Sequence, residues 1–180
     1  MKKVLLVILL LVCIGYSVNT NEEHDSNSTS EYLDYFYAEK QKKCIKEALY
    51  HEARGEGEEG LRHVLSVIYN RVHAKGFPES YCKVIWQPKQ FSYRNGVQPG
   101  VFIDLKPVKA NDKIAYDLIS TLAEDAAYGR FRPSLSPDVL WYHADHVRPS
   151  WAGVMKKVKK VGKHSFLARL KRSENEEFRI

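Results

Sequence analysis

The chain has 180 residues, of which 44% are hydrophobic and 12% aromatic. These values are those of a folded globular protein, and the length leaves hardly enough chain for two full domains. The formal net charge of +6 suits an acidic polymer partner, such as bacterial wall, nucleic acid or an anionic membrane surface. Charge alone does not choose among these partners.

Residues 1–17 have the layout of a secretory signal peptide. Two lysines follow Met1, an unbroken apolar run extends from Val4 to Ile14, and Gly15 and Ser17 place small residues before a cleavage site. The run is short for a membrane span. We therefore expect export to the periplasm, the cell wall or the exterior, with membrane contact only through this segment. An uncleaved anchor and lipidation at Cys13 are the alternatives.

Export would place Cys44 and Cys82 in an oxidising compartment as an even pair. A disulfide between them would tether the first predicted helix to the segment after the second. Two buried free thiols, which are common in protein cores, are the alternative.

The sequence predicts a mainly helical α+β domain over residues 38–171. A polar linker and aromatic lead-in, residues 18–37, precede it, and a charged tail, residues 172–180, follows. We expect the rings of the lead-in to pack on the domain; they belong to Tyr32, Tyr35, Phe36 and Tyr37.

Four helices and three strands are predicted within the domain. The helices cover Ala38–Ala53, Glu58–His73, a segment from about Asn111 to Gly129, and a segment after Ser150 that carries Trp151, Val154, Met155 and Val158. The third helix should bury Ile114, Leu118, Leu122 and Ala126. The strands cover Gln90–Tyr93, Val139–Ala144 and Ser165–Leu170.

Glu52 ends the apolar stripe of the first predicted helix. It follows Leu49 by three residues, Ala48 by four and Ile45 by seven, spacings that share one helical face. Burial on that face disfavours the ionised carboxylate and should raise the pKa of Glu52, which is how an enzyme keeps a general acid near neutral pH. A helix-end glutamate capped by Arg54 is the alternative.

Two other segments, residues 87–93 and 141–151, combine aromatic and polar side chains. Rings stack on the C–H faces of sugars, while polar groups bind hydroxyls and acetamides. These segments are therefore candidates for an oligosaccharide groove. His143 could bind substrate or the acid, or it could be a structural histidine satisfied by backbone.

The sequence predicts no metal and no other cofactor. Gly55 stands where a His-Glu-x-x-His zinc motif beginning at His51 needs its second histidine. His143 and His146 are three residues apart on a predicted strand and would point to opposite faces. The lysine-rich run 156–160 is interpreted as the solvated face of a helix, attracted to anionic wall polymer, and no nucleic-acid partner is predicted.

Several short pieces follow one another along the chain: Ala48–Glu56, Gly60, Val64, Asn70–Val72, Phe77-Pro78, Cys82–Ile85, Gln90–Ser92, Tyr142–Ala144, Pro149–Trp151 and Gly162–Phe166. Together they resemble the catalytic domain of SleB-like cell-wall hydrolases, the spore-cortex-lytic enzyme family. Two positions depart from the family pattern. Val139-Leu140-Trp141 replaces a Gly-Ala-Thr-like lead, and Leu167 stands where a tyrosine is expected.

This resemblance implies a lysozyme-related, resuscitation-promoting-factor-like fold that acts on peptidoglycan glycan strands as a monomer. It implies that Glu52 is the catalytic acid/base, in a lytic transglycosylase that leaves 1,6-anhydromuramoyl ends or in a muramidase. Arg54 and Glu56 would hold the turn and orient Glu52. The groove would be lined by Gln90, Ser92, Tyr142, His143 and Trp151.

Alternative functions remain open at this point. A two-carboxylate hydrolase would need a partner for Glu52, for which Asp104 and Asp145 are weak candidates. A peptidoglycan amidase would need zinc ligands, and a wall-binding module would keep the groove without activity. The cellular role could be wall remodelling, spore germination or phage lysis.

Overall fold

A computed structural model describes the backbone of residues 2–105 and 112–170, and side chains from residue 28 onward within those ranges. Two compact units are present, Met1–Glu39 and Lys40–Ile180. The charged tail predicted at residues 172–180 lies outside the described residues.

The first unit contains the N-terminal part of helix α1, which spans Lys2–Ala53. Residues 19–30, expected to be a linker, are helical, because this polar stretch contains no Gly or Pro that would end a helix. The rings of Tyr32, Tyr35, Phe36 and Tyr37 in the aromatic lead-in are 51–64% exposed, and their packing on the domain stays a prediction. Over the parts that the structure describes, we find no helix with the length and apolar character to cross a membrane.

The core of the second unit forms where the end of α1 meets helix α2, Gly57–His73. Ile45, Ala48 and Leu49 of α1 are fully buried, as the spacing predicted. The buried apolar side chains of α2 include Leu61, Val64, Leu65, Val67 and Ile68. Glu58 and Glu59 lie in its first turn, where negative charge stabilises the helix dipole.

A disulfide joins α1 to the short helix α3, Tyr81–Ile85. The Cα atoms of Cys44 and Cys82 are 5.3 Å apart. Ser80 caps α3 by accepting a hydrogen bond from the backbone N–H of Lys83 at 3.4 Å. The cysteine pair therefore fixes the start of the loop that runs from Trp86 to Asn95.

Helix α4, Lys113–Ala127, buries Leu122 and Ala126 as predicted, and Leu118 packs partly buried against the core. Its buried residues are Ile119, Leu122, Ala123 and Ala126, whereas Ile114 is 83% exposed. The buried face of α4 therefore extends to Ile119 and Ala123, and Ile114 in the first turn lies outside the core. Gly129, with φ +74°, follows the end of the helix as expected.

A three-stranded antiparallel sheet completes the unit, formed by β1 (Val139–Ala144), β2 (Met155–Val161) and β3 (His164–Arg169) in the order β1-β3-β2. Phe166 of β3 is fully buried, and it pairs with Tyr142 of β1 and with Lys159 of β2. The predicted α+β class, mainly helical with a small antiparallel sheet, is confirmed.

Two of the predicted elements are wrong. The fourth helix is a 3₁₀ turn, Ser150–Val154, followed by strand β2, because β3 satisfies the backbone of residues 155–161 across a tight turn at Gly162. The predicted strand at Gln90–Tyr93 is an irregular turn that leads into a 3₁₀ segment, Ser92–Arg94. Both segments are short runs of apolar and polar residues, which fit the helical and the strand periodicity equally well. The segments they pack against determine which structure forms.

Candidate functional site

An open cleft of about 620 Å³ lies between the end of α1, the loop 89–95, β1 and the segment 146–151. Glu52 and all five predicted groove residues line it together. Its described lining consists of Glu52, Arg71, Lys89, Gln90, Ser92, Asn95, Tyr142, His143, Ala144, His146, Val147, Pro149, Trp151 and His164. The sequence therefore identified residues from distant segments that the fold brings to one cavity.

Glu52 lies half-buried at the wall of this cleft. Its Oε2 atom accepts a hydrogen bond from the Tyr142 hydroxyl at 3.0 Å. Burial raises the pKa of Glu52, and the Tyr142 hydrogen bond, which stabilises the carboxylate, partly opposes that rise. The direction predicted from the helical spacing is confirmed, and the Glu52 carboxyl can therefore hold a proton to higher pH than an exposed glutamate.

Three aromatic side chains near Glu52, those of His51, Tyr93 and Tyr142, are uncharged at neutral pH. The His51 ring stacks on Tyr93, with centroids 4.5 Å apart. Burial lowers the pKa of His51 and raises the pKa of Tyr93. Burial, followed by the adjacent Glu52 carboxylate, raises the pKa of Tyr142 well above its ordinary value. Tyr142 therefore stays protonated and keeps its donor for Glu52.

Arg54 and Glu56 stand outside the described cleft lining. Arg54 donates from Nη1 to the Tyr50 carbonyl at 2.9 Å and lies over the Tyr50 ring, so it closes the end of α1. The alternative that Arg54 caps Glu52 directly has no such contact among the bonds of the described residues. Arg54 can act on Glu52 only through the helix backbone.

Glu56 connects two turns that lie far apart in sequence. Its Oε2 atom accepts a hydrogen bond from the backbone N–H of Lys163 at 2.8 Å, in the turn between β2 and β3. Gly162 has φ +52°, and a Cβ atom at that position would collide with the Glu56 carboxylate. The positive φ favours glycine here, and a larger residue would also displace the Glu56 carboxylate from its bond to Lys163. Whether this contact orients Glu52 stays a prediction.

Arg71 lines the cleft, but the sequence analysis did not predict it there. Its Nε atom donates to the Leu140 carbonyl at 2.8 Å, and its Nη1 atom donates to Gln90 Oε1 at 3.0 Å. Arg71 therefore joins α2 to β1 and to the loop of Gln90. The available signal was its position three residues after Ile68 on the apolar face of α2, where a cation is unusual.

Behind the cleft, Glu47 of α1 and Arg94 form a buried ion pair that the sequence analysis also missed. Their Oε1 and Nη1 atoms are 2.6 Å apart, and the side chains are 2% and 4% exposed. Glu47 Oε2 accepts the backbone N–H of Ile103, while Arg94 donates to the carbonyls of Gln98 and Val101. The pair fixes the loop that contains the cleft residue Asn95.

The two candidate partner carboxylates lie elsewhere. Asp145 pairs with Lys160 at 2.6 Å and accepts a hydrogen bond from Ser165. Asp104 lines a separate cavity of about 360 Å³ with Lys43, Lys46 and Tyr116, among others. Among the described residues that line the cleft, Glu52 is the only carboxylate. In the described segments, no group of three or more His, Cys, Asp or Glu side chains could hold a metal ion.

Curated proteins similar to this chain are spore cortex-lytic enzymes. That of Oceanobacillus iheyensis is 30% identical over 152 residues, which is 84% of this chain and 50% of that protein. The Bacillus subtilis enzyme is 29% identical over 126 residues, 69% of this chain and 36% of the relative. The chain thus spans half or less of the length of these relatives.

Among solved structures, the chain is similar to the catalytic domain of the germination-specific lytic transglycosylase SleB from Bacillus anthracis. The sequence identity is 25% and the TM-score 0.53, over 71% of this chain and 93% of that domain. The cell wall hydrolase family matches residues 55–167. This match begins three residues after Glu52 and includes all the other described cleft residues. The chain therefore belongs to the cell wall hydrolase family.

Proposed function

We propose that this protein cleaves the glycosidic bond between N-acetylmuramic acid and N-acetylglucosamine in peptidoglycan, with Glu52 as a single acid/base. The observation that supports this most directly is the half-buried Glu52 carboxyl with its raised pKa, which stands as the only carboxylate among the described residues of a long open cleft. A general acid needs both reach to the substrate and a proton at working pH.

In the first step, Glu52 donates its proton to the glycosidic oxygen as the bond from the muramoyl anomeric carbon breaks. The carbonyl of the substrate's own 2-acetamido group stabilises the oxocarbenium-like centre, so no second protein carboxylate is needed. Glu52, now ionised, then removes the proton from the muramoyl C6 hydroxyl as its oxygen closes on the anomeric carbon. The acid is regenerated, and the product carries a 1,6-anhydromuramoyl end.

If water enters in place of the C6 hydroxyl, the same carboxylate deprotonates it and the product has a reducing muramoyl end. The lining of the cleft fits a sugar strand for either outcome. Trp151 is 36% exposed and offers a ring edge beside His143, with centroids 6.0 Å apart. Gln90 and Ser92 supply polar groups on the facing loop. We favour transglycosylation, because Glu52 has no carboxylate partner among the described cleft residues.

Digestion of purified sacculi by the enzyme, followed by mass spectrometry of the released fragments, tests the proposal. We expect anhydro-muropeptides as the main product. Reducing muramoyl ends would indicate hydrolysis, which keeps Glu52 as the acid but changes the acceptor. Free stem peptides would indicate an amidase, and binding to sacculi with no release would indicate a wall-binding module. Either of the last two results would overturn the proposal.

Replacing Tyr142 by Phe should move the alkaline limb of the pH–rate profile to higher pH. The hydrogen bond from Tyr142 lowers the pKa of Glu52, so its loss raises that pKa further. The first step needs protonated Glu52, and activity therefore falls as pH rises through its pKa. The measurement is kcat/KM on glycan strands between about pH 4 and pH 9.

Tyr69→Phe is the matched control for this variant. Tyr69 stacks on His73 and does not line the cleft, so its profile should follow that of the unaltered enzyme. An alkaline limb that stays in place, or moves to lower pH, in Tyr142→Phe would show that Tyr142 does not tune the acid.

The proposed substrate requires the enzyme to leave the cytoplasm. We propose that residues 1–17 act as the export signal and that the folded part works as a monomer in the periplasm, wall or exterior. The Cys44–Cys82 disulfide fits an oxidising compartment. N-terminal sequencing of the mature protein after expression with its full leader would locate the cleavage site expected after Ser17.

A further inference from the structure

The cleft carries a positive charge that its described lining does not balance. Arg71 and Lys89 are its two cations, and Glu52 is the single carboxylate. Arg71 is 5% exposed, and the partners of its Nε and Nη1 atoms are a backbone carbonyl and the neutral amide of Gln90. No ion pair among the described residues involves Arg71 or Lys89. A buried cation whose partners are all neutral can bind an anion favourably, because the anion would balance its charge.

Lys89 itself occupies an unusual backbone position. It is the only non-glycine residue with a positive φ in the described chain, at 62°. The left-handed conformation strains an ordinary side chain, and glycine would adopt it without that strain. The turn is closed by the backbone N–H of Gln90, which donates to the Gln87 carbonyl at 3.3 Å. A lysine here puts a cation at the cleft in spite of the strain.

A glycan strand of N-acetylated sugars offers no anion to these cations. The negative charge of peptidoglycan lies on the substituent at O3 of the muramoyl residue, either as the carboxylates of the stem peptide or, where the peptide is absent, as the lactyl carboxylate. The lactyl group is attached to the same muramoyl ring whose anomeric bond Glu52 would cleave, and the peptide carboxylates lie further out along the stem. The charge of the cleft and the chemistry of the strand therefore complement each other at this substituent.

We propose that Lys89 and Arg71 form a subsite for a carboxylate on the O3 substituent of the muramoyl residue. This inference rests on the proposed function, because it names a group of that substrate. The subsite makes the enzyme selective for anionic glycan strands over neutral ones of the same length. Lys89 supplies the accessible charge at the rim, and Arg71 supplies the fixed charge at the wall.

The test compares kcat/KM on solubilised glycan strands with kcat/KM on the same strands after their carboxyls have been converted to amides. We expect the intact enzyme to prefer the anionic strands by about five- to tenfold. In Lys89→Gln this ratio should fall to about two. Lys75→Gln, which removes one exposed lysine outside the cleft, should keep the full ratio. Equal rates on both substrates, or an unchanged ratio in Lys89→Gln, would overturn the subsite.

A third substrate identifies the source of the carboxylate. Strands stripped of their peptides keep one lactyl carboxylate per muramoyl residue. If the enzyme prefers the stripped strands over amidated strands as strongly as it prefers the peptide-bearing strands, the subsite recognises the lactyl carboxylate. If the preference for the stripped strands is weaker, the subsite recognises the carboxylates of the stem peptide. Both results keep the subsite.

Binding separates failure of the subsite from failure of the proposed function. Calorimetry of Glu52→Gln with the three kinds of strand measures the preference without turnover. Selective binding together with no cleavage by the intact enzyme would reject the catalytic proposal and keep the subsite. Cleavage by the intact enzyme together with unselective binding would keep the catalytic proposal and reject the subsite.

Discussion

Glu52→Gln should lose cleavage activity by a factor of about 10²–10⁴ or more, to the limit of detection on sacculi. The amide has nearly the shape of the protonated carboxyl and can still accept the Tyr142 hydrogen bond at the same place. It cannot donate a proton to the glycosidic oxygen and take one back. The variant therefore removes the chemistry and keeps the geometry.

Stability supplies a second readout for the same variant. A raised pKa in the folded state means that protonated Glu52 favours folding below its unfolded pKa, and that this contribution is lost as pH rises through the folded pKa. Glutamine does not titrate. We expect Glu52→Gln to melt at the same temperature as the intact enzyme or higher at neutral pH, as is common when an active-site charge is removed.

Glu79→Gln is the matched control, because Glu79 is an exposed carboxylate that lies outside the cleft. Its activity on sacculi should equal that of the intact enzyme. A Glu52→Gln protein with turnover within tenfold of the intact enzyme would place the acid on another residue. A Glu52→Gln protein that is inactive because it has unfolded would be recognised by its melting curve.

The site residues could be predicted from the sequence more completely than the secondary-structure elements. Glu52 could be found because its partners on the apolar face precede it on the same helix, at spacings of three, four and seven residues. The Gln90 and Tyr142 segments could be found from composition and from the family resemblance. What the sequence could not supply was the hydroxyl of Tyr142 at 3.0 Å from Glu52, which joins residues 90 positions apart.

The wrongly predicted elements have the same cause, because the sequence does not show which distant segments contact each other. Residues 155–161 fit a helix or a strand, and the backbone of β3 decides between them. The core face of α4 includes Ile119 and Ala123 and leaves Ile114 exposed, which depends on the neighbouring elements that cover the helix. Polar residues inside the core were the hardest to predict, because their partners lie far along the chain: Glu47 and Arg94 are 47 residues apart.

Removing one member of the Glu47–Arg94 pair is expected to have the second large effect, this time on stability. Glu47→Ala should lower the free energy of unfolding by about 3–5 kcal/mol, because it leaves the buried Arg94 charge without its partner. It also removes the acceptor of the Ile103 N–H. Arg94, which binds the carbonyls of Gln98 and Val101, would lose the partner that holds it in place, so the loop should loosen and the binding of strands that touch Asn95 should weaken.

Asp117→Ala is the comparison. Asp117 pairs with Lys113 at the same 2.6 Å, but this pair is exposed, with side chains 60% and 73% accessible. Its loss should change the free energy of unfolding by less than about 1 kcal/mol. Urea denaturation followed by circular dichroism, with the disulfide intact, measures both variants. Equal costs for Glu47→Ala and Asp117→Ala would show that the buried pair does not hold this loop.

The double variant Glu47→Leu/Arg94→Met isolates the reason for the cost. If the penalty of Glu47→Ala comes mainly from an uncompensated buried charge, replacing both members with apolar side chains of similar size should recover a large part of it. The backbone N–H of Ile103 and the carbonyls of Gln98 and Val101 would still lack their partners, so recovery should be incomplete. A double variant as unstable as the sum of its two single variants would mean that these backbone contacts, rather than the ion pair, hold the loop behind the cleft.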